Sequence, residues 1–171
     1  MADLAHANRL FKSTVFRDLF GTEKNKKNAL DLYNALNKTS YEDPSLLELN
    51  MLDDALFMGV RNDVSFVIGT EQVLWEHQST YNPNMPLRGL LYLSSLYSKF
   101  VEQEGADLYN PPLISLPTPH YVVFYNGTQE RPDNEIMRLS DAFAKKGDLE
   151  LVAQVININY GHNERIMRQC K

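Results

Sequence analysis

Two apolar-rich runs, Asn62 to Ile68 and Glu71 to Gln78, flank the dipeptide Gly69-Thr70. Period-two spacing bounded by a two-residue turn predicts a β-hairpin, and Gly at the first central position is the type II′ signature. Residue numbers of directly opposed pairs add to a constant in an antiparallel hairpin, so pairing Ile68 with Glu71 places Asp63 opposite Glu76. Val64, Phe66, Ile68, Val73 and Trp75 then point one way and predict a dry core. Asp63, Glu76 and Gln78 fall together at one end of the other face, with Arg61 opposite Gln78 and with Ser65, Val67 and Leu74 nearer the turn.

Elsewhere the spacing is helical in two places. Ala29, Leu30, Leu32, Tyr33 and Leu36 predict an amphipathic helix over 26–37. Leu87, Leu90, Leu91, Leu96, Phe100 and Val101 predict a long helix from Met85 to about Gln103, with Asn84 as N-cap and Pro86 in the first turn. Leu46 to Met58 reads as one short strand with a helical turn before it. His120 to Tyr125 reads as a strand ended by Asn126-Gly127, 134–146 as a further helix stopped by Gly147, and 149–159 as a closing strand. Residues 1–15 read as a loose arm docked through Phe16, Leu19 and Phe20, leaving one α/β domain over 16–171. A long helix between strands, beside an antiparallel hairpin, predicts a mixed sheet flanked by helices.

Asp63 and Glu76 carry the candidate chemistry. Directly opposed side chains have Cβ atoms roughly 5 Å apart, and like charges there are unfavourable. A cation, a raised pKa or a basic neighbour must offset the repulsion. Two carboxylates at that separation can share a hard divalent cation through oxygen ligands; equally, Arg61 could neutralise a solvated edge. On the long helix, Arg88 and Tyr92 lie four residues apart, and Ser95 and Lys99 continue the stripe. It could face the carboxylates and hold a phosphate, for which the arginine fork is suited, or be the wet side of an amphipathic helix. His77 alternates toward the apolar face and reads as structural, as does His120; His162 is uninformative alone. No glycine-rich phosphate loop, HExxH or GxSxG is present.

The 171 residues are 43% hydrophobic, enough for one domain with a real core, and carry a formal net charge of -5. That charge argues against a general nucleic-acid coat, though not against a local basic groove. Basic residues are concentrated early, at Arg9, Lys12, Arg17, Lys24, Lys26 and Lys27. Cys170 is the one cysteine, which excludes an intrachain disulfide and a thiolate cluster. With no signal-peptide run and no apolar stretch of membrane-spanning length, the chain is expected to be cytoplasmic, and two glycosylation-like triplets are chance matches.

Several segments resemble the Rpn-type recombination-promoting nuclease/putative transposase family, within the PD-(D/E)XK nucleases. They are 16–21, 32–36, 62–66, the run from Glu76 to Arg88, 123–127 and 139–143. The resemblance implies a restriction-endonuclease-like core and Mg²⁺-dependent (or Mn²⁺-dependent) hydrolysis of DNA. Asp63 and Glu76 would ligate the metal, Gln78 would stand where many relatives carry a water-polarising lysine, and Arg88 and Tyr92 would face the phosphate. Asn62 replaces the proline of the family's name, which is no ligand. Gln78 supplies no positive charge, but its carbonyl can orient water. A homodimer would account readily for double-strand cutting. The competing expectation is a nuclease fold that has lost its chemistry and serves as a DNA-binding or assembly module.

Overall fold

The computed structural model describes residues 2–51 and 62–169, with side chains described for 11–51 and 62–168. Arg61 and the second half of the 46–58 segment therefore lie outside the described residues. The element order is α1 (Ala2–Phe20), α2 (Lys26–Asn37), β1 (Leu47–Leu49), β2 (Val64–Ile68), β3 (Glu71–Gln78), α3 (Met85–Gln103), β4 (Thr118–Tyr125), β5 (Asn134–Arg138), β6 (Val152–Asn157) and α4 (Glu164–Gln169).

Six strands form one mixed sheet in the order β1-β2-β3-β4-β6-β5. β3, β4 and β6 run parallel, while β1, β2 and β5 are antiparallel to their neighbours. The hairpin register is the one the turn dictates: Ile68 pairs with Glu71, Phe66 with Val73 and Val64 with Trp75. Gly69 adopts φ +57°, and no positive φ occurs at Thr70, as a type II′ turn requires.

Both faces of the sheet are covered. On one side α1 and α2 enclose a core of Phe16, Leu30, Tyr33, Phe66, Trp75 and Phe124. On the other, α3 buries Met85, Tyr92 and Leu96 against Leu74, Tyr121, Val123 and Val155. Central strands buried on both faces are the usual consequence of a parallel crossover, here β3-α3-β4. The Asp63 side of the hairpin is thus a covered face rather than a solvated edge.

Helices α2 and α3 and strands β4 and β6 form where the periodicity places them. Three expectations are corrected. The segment 134–146 is not a helix: Asn134–Arg138 is the edge strand β5, and a single 3₁₀ turn, Leu139–Ala142, follows it. Pairing of Met137 with Ala153 and Glu135 with Val155 along β6 outweighs a weak helical spacing. The N-terminal segment is helical, so the break at residue 15 falls inside α1. Asn84 occupies the N-cap of α3 but makes no side-chain cap bond; its own N–H is instead capped by Asn82 Oδ1 at 3.0 Å.

Candidate active site

Asp63 stands one residue before β2, and Glu76 lies near the end of β3, so backbone pairing stops where they meet. Side chains continue it. The Asp63 backbone N–H donates to Glu76 Oε1 at 3.2 Å, and the His77 backbone N–H donates to Asp63 Oδ2 at 2.8 Å. Asp63 and Glu76 are 7% and 2% exposed.

Helix α3 supplies the opposite charge. Arg88 Nη2 donates to Glu76 Oε2 at 3.0 Å and to the Tyr92 hydroxyl at 2.7 Å, and that hydroxyl also hydrogen-bonds Glu76. Among the described residues, the basic neighbour in contact with Glu76 is Arg88, reaching across from the helix. Arg88 and Tyr92 face inward, one turn apart. The rest of the stripe does not: Lys99 is exposed, and Ser95 Oγ turns back to the Leu91 carbonyl.

The protonation of the pair follows from its surroundings. Burial pushes the Asp63 carboxyl up to about 6, opposed by the His77 N–H and by the charges of Arg17 and Arg88. Burial and the neighbouring Asp63 charge push Glu76 up to about 8, opposed by Arg88. Burial outweighs these opposing charges, so the pair as a unit retains a proton into the neutral range. Burial works against the Arg88 charge, yet Glu76 and Tyr92 keep its pKa above the ordinary arginine value.

Gln78 lies two residues beyond Glu76 on the same face and is buried, its amide Nε2 donating to Met85 Sδ at 2.6 Å. His77 packs its ring 5.7 Å from Phe16 on the other face, and burial lowers its pKa. His120 lies 3.7 Å from Glu71, and His162 2.5 Å from Asp133; both are remote in the register from the acid pair.

Two buried hydroxyls also lie on this side of the sheet, and the one on Tyr121 escapes a reading of spacing alone. Ser65 Oγ and Tyr121 OH are buried on the acid-pair side of the sheet without a hydrogen-bond partner. Ser65 pairs with Leu74, whose other neighbour is Tyr121, so both border the site across adjacent strands. Tyr121 fits only because residue 89 is glycine: a Cβ there would lie 2.4 Å from Tyr121 Cε1. Hairpin alternation puts Ser65 on this face; Tyr121 needs the β3–β4 register.

Carboxylates and an amide carbonyl are the oxygen donors that hard divalent cations take, and Asp63, Glu76 and Gln78 carry them on one face. Among the described residues, no group of three or more His, Cys, Asp or Glu converges as a ready-made metal cluster. No helix among them is long and apolar enough to cross a membrane. No family model, no characterised protein and no solved structure matches this chain.

Proposed function

We propose that the protein is a metal-dependent DNA endonuclease with a restriction-endonuclease-like core, acting in the cytoplasm in recombination or on mobile elements. The observation that carries this reading is the convergence of Asp63 and Glu76 at a strand end with Arg88 and Tyr92 of the following helix. It is supported by the likeness of the run from Glu76 to Arg88 to Rpn-type nucleases. Asp63 and Glu76 would hold Mg²⁺, or Mn²⁺ in its place. When bound, the ion supplies an activated water and neutralises charge growing on the phosphate.

The chain's own residues do the rest. Gln78 accepts a hydrogen bond from the attacking water through its carbonyl and fixes its direction. Arg88 offers its fork to a non-bridging phosphate oxygen, and Tyr92 steadies the guanidinium. The paired carboxylates must give up their shared proton before both can serve as ligands.

A second reading, a nuclease fold retained as a DNA-binding or assembly module, is favoured by the neutral Gln78 and by the Arg88 contact that already occupies Glu76. Incubation of supercoiled plasmid with Mg²⁺ or Mn²⁺ separates the two. Wild type is expected to nick or linearise DNA, and Asp63→Ala and Glu76→Ala to fall to background. Equal products from all three would overturn the endonuclease; DNA retention without cleavage or Mn²⁺ binding would establish the module.

A further inference from the structure

Within the acid pair, two oxygens are fixed by the backbone: Glu76 Oε1 by the Asp63 N–H at 3.2 Å, and Asp63 Oδ2 by the His77 N–H at 2.8 Å. Those donors cannot leave without unravelling the strand ends. Glu76 Oε2 is different, because its cationic partner is a side chain, Arg88 Nη2 at 3.0 Å. The Glu76 side chain is 2% exposed, while that of Arg88 is 35% exposed. The guanidinium therefore has a path toward solvent that the carboxylate lacks. Its second anchor, the Tyr92 hydroxyl, is a neutral hydrogen-bond partner, and Met85 Sδ lies 3.7 Å from Nη1. Neither would hold the charge once Glu76 took another cation, since two cations at contact distance from one oxygen repel strongly where water is scarce.

We propose that Arg88 is an internal counter-cation of Glu76, which a divalent ion must displace, and that the displaced guanidinium turns outward to meet the substrate phosphate. This rests on the metal-dependent reading above. Before the ion arrives, Arg88 keeps a fully buried carboxylate from standing uncompensated, a state that is strongly destabilising. On arrival, loading and exposure of the phosphate-binding fork become one event. Arg88 acts here as a positioning residue for the site, and its effect is legible without any turnover.

Calorimetric titration with Mn²⁺ tests the exchange on the full chain. Arg88→Gln is expected to bind Mn²⁺ at least tenfold more tightly than wild type. Equal or weaker binding would overturn the exchange while leaving metal dependence intact. A second measurement needs no loss of the arginine. In wild type, the NMR cross-peak of Arg88 Nε–Hε, assigned by its disappearance in Arg88→Lys, should move during a Mg²⁺ titration with the midpoint of a Mg²⁺ calorimetric curve taken under the same conditions. Binding heat with a stationary cross-peak would also sink the proposal. No heat from either ion, in wild type or variant, would remove the metal-dependent reading itself and the exchange with it.

Discussion

Asp63 and Glu76 tie the ends of β2 and β3 together through their carboxylates, by the crossed bonds at 3.2 and 2.8 Å. Both bonds fall just past the last backbone pair, Val64 with Trp75, so acidic side chains carry the ladder where the chain itself no longer can. The pair therefore has a structural role apart from any chemistry. It is also a source of tension, since two buried carboxylates stand side by side and Arg88 is in contact with Glu76 alone among the described residues.

That tension predicts an unusual pH dependence of stability. Both carboxyls have folded pKa values raised above the ordinary carboxylate range, mainly by burial, Asp63 to about 6 and Glu76 to about 8. A raised folded pKa means that the native state binds more protons than the unfolded chain between the two values, so its contribution to stability falls as pH rises. The contribution is complete below the ordinary carboxylate range and is lost by about pH 8. Urea unfolding curves between pH 4 and 9 should show the midpoint declining across that window. Glu76→Gln, which leaves a single carboxyl in the site, should flatten most of the decline; an unchanged slope in that variant would show that the pair is not its source.

Gly89→Ala sets helix propensity against packing. In a helix interior the change favours folding by about 1 kcal/mol. Here the added Cβ would lie 2.4 and 2.6 Å from two ring carbons of the buried Tyr121 and 3.1 Å from Leu151 Cδ2. A buried ring between β4 and α3 cannot yield as a flexible tip would, and overpacking of this kind costs about 1–3 kcal/mol. Thermal or denaturant unfolding is expected to show a net loss of stability, together with weaker engagement of Arg88. A gain would mean that α3 floats freely over the sheet.

The two site tyrosines should answer differently to loss of their hydroxyls. Tyr92 OH is bonded to Arg88 and Glu76, so Tyr92→Phe should cost about 1–3 kcal/mol by stranding charged partners. Tyr121 OH is buried with no partner, so Tyr121→Phe removes a desolvated hydroxyl at no loss of a bond. That variant is expected to unfold at or above the wild-type midpoint. Matched destabilisation of both would reveal a hidden acceptor for Tyr121.

Much of the site was legible because its parts are local. The Gly69-Thr70 turn fixes the register, and register alone brings Asp63 to Glu76. What spacing could not supply is how much of the polar stripe of α3 lies over the site: Arg88 and Tyr92 face inward, while Lys99, about three turns farther along the same stripe, stays in solvent. It also could not supply the third dimension of the sheet. Tyr121 meets the site only through the pairing of β4 with β3, a contact between distant parts of the chain. β5 was misread for a related reason: its five residues owe their extended form to β6, the Asp133 carbonyl and Asn157 rather than to any pattern of their own. The N-terminal segment shows no strong apolar stripe, so its helix leaves little trace in the residue order.

The link from β3 into α3 has a further consequence. Asp63, Glu76, Gln78, Arg88 and Tyr92 all belong to one uninterrupted hairpin-turn-helix segment. Contacts of short sequence separation form early and at low entropic cost. The acids and their counter-charge can therefore find one another before β5 and β6 are in place, and β5 and β6 can drift in sequence without dismantling them. In evolutionary terms, the segment behaves as a single heritable cassette.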